Sequence, residues 1–390
     1  MDEVLEILRT YTDAMTWGLL AVMAVMLLLL YRWRWRDYAL VRRPAAVRDE
    51  EGGADALPRV SIVVPYGDGQ GELVAAALPE FLMLDYPDFE VIATNCSTDR
   101  EAADAISRLC VRHRRLRATG IPSTMRDKGQ AWLGVTLGVR AAYGEWVAIL
   151  PPDARPASPD VLRRMVQTAL RDGLDVVQAY VNFVDEGTRL SRRAIYARLL
   201  RQLTRLRAAR RGAPIGSELV GVLMRKEFFL AHCHAPRVLR EPFGALDLML
   251  DGQPEPGKLR PMLSPETTIL QPLPPRALLS GLRHVERRLR RRRTFRARLF
   301  LLRSRSTHLL LWLHLLSGCA YVGLRTWETL LAQAYTTSRL LPDALFPLLF
   351  LAALLLPALL LRRSCRRLGE RSFGLYPYFA DLFARPVGTL

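Results

Sequence analysis

Apolar residues along the chain follow two patterns. Three long stretches are apolar on every side, and the region between the first and second alternates short apolar runs with segments of helical period. Ala14 to Tyr31 carries no charge and contains the run LLAVMAVMLLLL. That is long enough to cross a hydrocarbon core of roughly 30 Å. Thr307 to Leu324 and Leu340 to Leu361 repeat the pattern, separated by a short segment whose charges are Arg325, Glu328 and Arg339. The pattern predicts three membrane spans.

In the middle region, Arg59 to Tyr66 is an apolar run of strand length, closed by Pro65 and the glycine-rich GDGQG. A helical pattern over Glu72 to Leu84 precedes a second strand, Glu90 to Thr94. A helix over Arg100 to Arg114, a basic loop, and a helix around Gly129 to Ala142 lead to a third buried strand, Trp146 to Leu150. Strands alternating with helices predict an α/β, Rossmann-like, mostly parallel sheet covered on both faces. Ligands of such sheets bind beyond the carboxyl ends of the strands. Those ends are Pro65-Tyr66, Asn95-Cys96 and Pro151-Pro152-Asp153.

Charge orients the spans. The 390 residues hold 56 Lys+Arg against 38 Asp+Glu, a net charge of +18, and half of the residues are hydrophobic. This excludes a disordered chain. Only Lys128, Lys226 and Lys258 are lysines, and neither zinc-finger spacing nor an RNA-binding aromatic signature accompanies the basic residues. No nucleic-acid partner is expected. Arg32 to Arg36 follows the first span, and Arg362-Arg363-Ser364-Cys365-Arg366-Arg367 follows the last. By the positive-inside rule both flanks are cytoplasmic, and Trp33 and Trp35 suit the headgroup belt. Acids precede the first span and no small-residue cleavage site follows it, so an uncleaved anchor is expected.

The organisation read from the chain is an external N-terminus over 1–13, an anchor over 14–31, a linker over 32–58 and a catalytic-type domain over 59–280. A basic interfacial helix over 281–306, spans over 307–324 and 340–361 and a cytoplasmic tail over 362–390 complete it. Leu282 to Arg305, LRHVERRLRRRRTFRARLFLLRSR, suits an anionic inner-leaflet surface. A solvated linker helix is the alternative. The localisation expected is a bacterial inner membrane, multi-pass, with the soluble domain in the cytoplasm. Cys96, Cys110, Cys233, Cys319 and Cys365 show no paired spacing and are expected as free thiols.

VSIVVPY at 60–66, DYPDFEVIATNCSTDR at 85–100, DKGQAWLGVTLGVRAAYGEWVAIL at 127–150 and PPDARPAS at 151–158 together resemble glycosyltransferase family 2. The resemblance covers about 60 to 180 well. It is fainter over 215–280, where Gly216, Val220-Gly221-Val222 and Asp247-Leu248 stand near the acceptor-side segment. The membrane hairpin and the terminal piece ending in Pro386 also look like membrane-bound bacterial members. The resemblance implies a GT-A fold and an inverting hexosyltransferase acting from a nucleotide sugar, with a lipid-linked or cell-envelope glycan as acceptor.

By the same resemblance, Pro65, Tyr66, Asn95 and Ser97 would border the nucleoside, and Lys128 would meet phosphate. Asp153 would hold a divalent cation, Mg²⁺ or Mn²⁺, on the diphosphate. Asp247 or the more distant Glu241 would deprotonate the acceptor hydroxyl. Each has a plainer reading: Asp153 begins a turn, Ser97 and Asp99 cap the next helix, Lys128 is solvated, and Tyr66 belongs to the core.

Several family acids are replaced: Thr94-Asn95 stands for an acidic pair, Pro151 for the first acid of Asp-x-Asp, and Ala245-Leu246 for Glu-Asp. The QxxRW motif is not recognisable over 278–293, where His284 and Glu286 are the nearest polar residues. These replacements keep a second function open, a catalytically degenerate scaffold or regulator of an active membrane-protein partner.

Overall fold

The structure is a computed structural model, and it describes residues 2–39, 41, 57–121, 130–210, 220–234, 249–250, 258–273, 306–332 and 340–383, together with 295, 298 and 302. The chain divides into two compact units. One comprises Met1–Arg42 and Phe300–Thr389, and the other is essentially Arg43–Leu299.

The α/β unit is built on a sheet whose seven described strands run in the order β3-β2-β1-β4-β8-β6-β9. Its parallel part comprises β1 (Val60–Tyr66), β2 (Phe89–Asn95), β3 (Leu116–Gly120) and β4 (Trp146–Ile149). Beyond β4, β8 (Val222–Arg225) runs antiparallel to both β4 and β6 (Val176–Gln178), and β9 (Leu259–Pro261) runs parallel to β6. A smaller sheet joins β5 (Arg155–Pro156), β10 (Thr268–Gln271) and β7 (Tyr180–Phe183).

A strand buried on both faces reads as a continuous apolar run, and β1 shows why. Ile62 and Val64 pack with Val74, Leu78 and Phe81 of α3 (Gly71–Leu82) and with Ile106 of α4 (Arg100–Arg112). Val63, on the opposite face, packs with Trp132, Val135 and Val139 of α5 (Gln130–Ala141) and with Phe229 of α8 (Lys226–His232). Two further helices of this unit are α6 (Val161–Arg171) and α7 (Arg189–Arg210).

The predicted strands and helices of 59–150 all form, with ends shifted by a few residues. The difference is β3. The stretch read as a basic loop contains an edge strand, whose alternation is masked because Arg117 carries its inward position. That side chain, still partly exposed, reaches buried Glu90 at 2.9 Å.

The other unit is helical. α1 (Asp2–Leu30) continues through a π-helical turn, Tyr31–Trp35, into the short α2 (Arg36–Tyr38). Residues 2–13, read as a separate external terminus, are therefore the opening turns of α1. α9 (Thr307–Ala332) and α10 (Leu340–Leu368) follow, and α11 (Tyr376–Phe383) closes the described chain. Three helices among the described residues are long and apolar enough to cross a membrane: Thr10–Tyr38, Thr307–Leu330 and Leu340–Leu368.

At one end of these helices, the buried Asp381 carboxylate meets Arg34 at 2.6 Å and accepts from the Tyr38 hydroxyl at 2.9 Å. Trp35 is fully buried in this unit, so it serves packing and is not part of an outward-facing belt. Of the basic segment 281–306, only residues 295, 298, 302 and 306 are described, the first three as helical.

Candidate functional site

β1 is the point where the sheet order reverses: β2 lies on one side and β4 on the other, all three parallel. The crevice beyond their carboxyl ends is where such a sheet takes its ligand. Pro65, Tyr66, Asn95, Ser97 and Asp153 all belong to this edge. Tyr66 is paired in register with Asn95, and the Cys96 amide donates to the Tyr66 carbonyl at 2.9 Å.

The turns that leave the strands are tied together. Gly69 sits at φ 73°, a conformation glycine adopts without strain, and Gln70 Oε1 accepts the Gly67 amide at 2.8 Å. Asp68 then reaches across to the loop after β2, accepting the Thr98 amide at 2.7 Å and its hydroxyl at 3.0 Å. In that loop Asn95 Oδ1 accepts the Ser97 amide at 2.7 Å, and Ser97 Oγ accepts the Asp99 amide at 2.8 Å. Asp99 caps α4 through the Ala102 amide at 3.2 Å. Ser97 thus shapes the turn that feeds the cap. Tyr66 is buried, which agrees with its plainer reading as core.

α5 is pressed onto the sheet by two glycines. A Cβ on Gly138 would stand 2.5 Å from Val63 Cγ1, and one on Gly134 would stand 2.2 Å from Cys96 Sγ. This close approach holds the start of α5 near the ends of β1 and β2.

Asp153 lies in the turn Pro151-Pro152-Asp153-Ala154, closed by the Ala154 amide on the Pro151 carbonyl at 2.9 Å. Its Oδ2 accepts Gln271 Nε2 at 2.8 Å, and Gln271 Oε1 accepts Arg198 Nη2 at 2.5 Å. Arg198, buried on α7, lies over the Phe183 ring at 4.2 Å. Gln271 ends β10, where it pairs with Phe183 of β7. The small sheet and α7 therefore orient the one acid that follows β4. Guanidinium only donates and carboxylate only accepts, so an amide is the natural link between them. Asp153 thus has a fixed direction.

Among the described residues no three His, Cys, Asp or Glu side chains gather into a metal-binding group. Asp153 offers a hard oxygen after β4, with Oδ2 already taken by Gln271. A small divalent cation suits a site of this kind when diphosphate and water complete its shell. Lys128, Asp247 and Glu241 lie outside the described residues, as do the segments around Gly216 and 274–294. Sequence reading missed Gln271 and Arg198, because a glutamine 118 positions from Asp153 carries no local signal.

Residues 16–187 match the family model of glycosyl transferase family 21. No curated protein matches the chain. Among solved structures, a mannosyltransferase from Pyrobaculum calidifontis, in complex with GDP-mannose and Mn²⁺, is 18% identical over 96% of this chain and 99% of that one, with a TM-score of 0.49. The glucosyl-3-phosphoglycerate synthase of Mycobacterium tuberculosis is 17% identical over 60% and 79%, with a TM-score of 0.38. Likenesses this distant carry no argument, and the family match covers 172 of the 390 residues. Family 21 is distinct from family 2, whose motifs the sequence resembles, but the two share a fold class. The α/β unit has a Rossmann-like, mostly parallel sheet, and residues 16–187, which include most of its parallel part, are similar to glycosyl transferase family 21.

Proposed function

We propose that the chain is a membrane-bound inverting hexosyltransferase, moving a sugar from a nucleotide-sugar donor to a lipid-linked or cell-envelope glycan acceptor. The observation that carries this reading is the family 21 match over 16–187, which takes in the first apolar helix and the sheet edge holding Asp153 as one segment. The arginines beside the first and last spans support a bacterial inner-membrane location with the α/β unit in the cytoplasm.

In this reading the ends of β1 and β2, Tyr66 and Asn95, border the nucleoside. Asp153, aimed by Gln271, faces the diphosphate. A divalent cation bound there would neutralise charge developing on the leaving diphosphate. The acceptor hydroxyl must lose its proton as it attacks, and Asp247 or Glu241 is the proposed base.

The test is turnover of a panel of nucleotide sugars by the full chain in lipid nanodiscs with Mn²⁺ or Mg²⁺. Turnover abolished by Asp153→Ala, with the fold retained, is the expected result; neither binding nor turnover of any donor would defeat the proposal. A second reading, a scaffold or regulator of an active membrane protein, draws on Pro151, which leaves Asp153 without a paired acid. Turnover by the isolated chain that depends on Asp153 would exclude it.

A further inference from the structure

Within residues 362–390, expected from the sequence to be a cytoplasmic tail, α11 packs against α9 and α10 of the helical unit. Its inner face is fixed. Buried Asp381 holds Arg34 and Tyr38, and Trp312 Nε1 donates to the Leu382 carbonyl at 3.2 Å. Its outer face is apolar: Leu375, Phe379 and Phe383, at every fourth position, are 40%, 47% and 67% exposed.

Depth identifies what covers that face. Trp312 lies five residues beyond Thr307, where the second apolar span begins. At 1.5 Å per residue this is about 7 Å inside the span. The end of α11 is bonded at that level, and the exposed Arg362, Arg363 and Arg366 stand at the end of α10 beside it. An aromatic face at this depth, with a girdle of cations, matches the boundary between headgroups and acyl chains of an anionic leaflet.

We infer that α11 is an interfacial helix whose Leu375-Phe379-Phe383 face is seated in an anionic lipid leaflet. The aromatic side chains lie in the acyl boundary, and the arginines meet lipid phosphates. Asp381 acts as the strut that holds the helix flat, through Arg34 and Tyr38 at the end of the first span.

The test uses the full chain with Cys110→Ser and Cys319→Ser and a single new cysteine, Phe379→Cys or Phe383→Cys, labelled with an environment-sensitive fluorophore. The protein is reconstituted in vesicles of phosphatidylcholine and phosphatidylglycerol, and Val111→Cys on α4 is the reference for an exposed position of the α/β unit. Both α11 labels should emit to the blue of the reference, resist aqueous iodide, and be quenched by lipids carrying a nitroxide on the acyl chain near the headgroup. Iodide quenching equal to the reference overturns the inference. So does a label shielded from iodide but untouched by the nitroxide lipids, which would place a second copy of the chain or another protein on this face. Two positions on one face keep the result readable if either variant folds poorly.

Discussion

Replacing Glu90 tests whether the parallel sheet depends on one buried carboxylate. Glu90 is 3% exposed and accepts three hydrogen bonds: Ser61 Oγ at 2.7 Å, the Tyr143 amide at 2.6 Å and Arg117 Nη1 at 2.9 Å. Ser61 Oγ in turn accepts the Gly144 amide at 2.8 Å, so the carboxylate joins β1, β2, β3 and the turn into β4.

Glu90→Ala strands the Ser61 hydroxyl and the Tyr143 amide, each worth about 1–3 kcal/mol when left unpaired. Arg117 softens the loss, because it is 37% exposed, donates also to the Ala141 carbonyl, and stacks on Tyr143 at 4.1 Å. The expected cost is about 2–4 kcal/mol, mostly from the two stranded donors. Glu90→Gln keeps the Oε1 acceptor for Ser61 and Tyr143 but turns an amide donor towards Arg117 Nη1, and should cost about 1.5–3 kcal/mol.

The pH dependence has a definite sign. Burial pushes the Glu90 carboxyl up, but the hydrogen bonds from Ser61, Tyr143 and Arg117 and the Arg117 charge outweigh it, and the net shift is downward. A folded-state value below the unfolded one stabilises above the unfolded value of about 4.3. That contribution disappears as pH falls through the folded value. Pulse proteolysis of the full chain across a urea series should therefore show the gap between wild type and Glu90→Gln closing in acid. Equal stability of wild type and Glu90→Ala at neutral pH, or a gap that widens in acid, would refute the reasoning.

Gly138→Ala should destabilise the α/β unit by about 1–3 kcal/mol through overpacking against Val63, read as a lower urea midpoint. Gln271→Met removes both halves of the link between Asp153 and Arg198, and should lower turnover while the unfolding free energy from a urea series falls by no more than about 1–3 kcal/mol. Gln271→Glu should also lower turnover, since a second carboxylate faces Asp153; on the same logic it should keep Arg198 paired and hold its stability. Asp381→Ala leaves Arg34 without its buried partner, and should make the helical unit aggregate at lower temperature in detergent, by about 3–5 kcal/mol of lost stability.

The parallel half of the sheet was legible because VSIVVPY and FEVIATN are buried on both faces, and burial on both faces leaves a continuous apolar run in the sequence. LRATG at β3 is an edge strand, half exposed and carrying Arg117, so its pattern is that of a loop until Glu90 is seen beneath it. The same distinction separates the parts of the candidate site. Asp153 announces itself by following two prolines at the end of a strand. Gln271 and Arg198 give no such sign, because their relation to Asp153 exists only once β10 has joined β5 and β7. Their chemistry nonetheless constrains what can replace them. With a donor-only guanidinium on one side and an acceptor-only carboxylate on the other, the residue between must both accept and donate, and at that length only glutamine does so without adding charge. The intervening amide bonds only Oδ2 of Asp153 and keeps the Arg198 guanidinium off it, which is the condition a diphosphate-bound cation would require of that carboxylate.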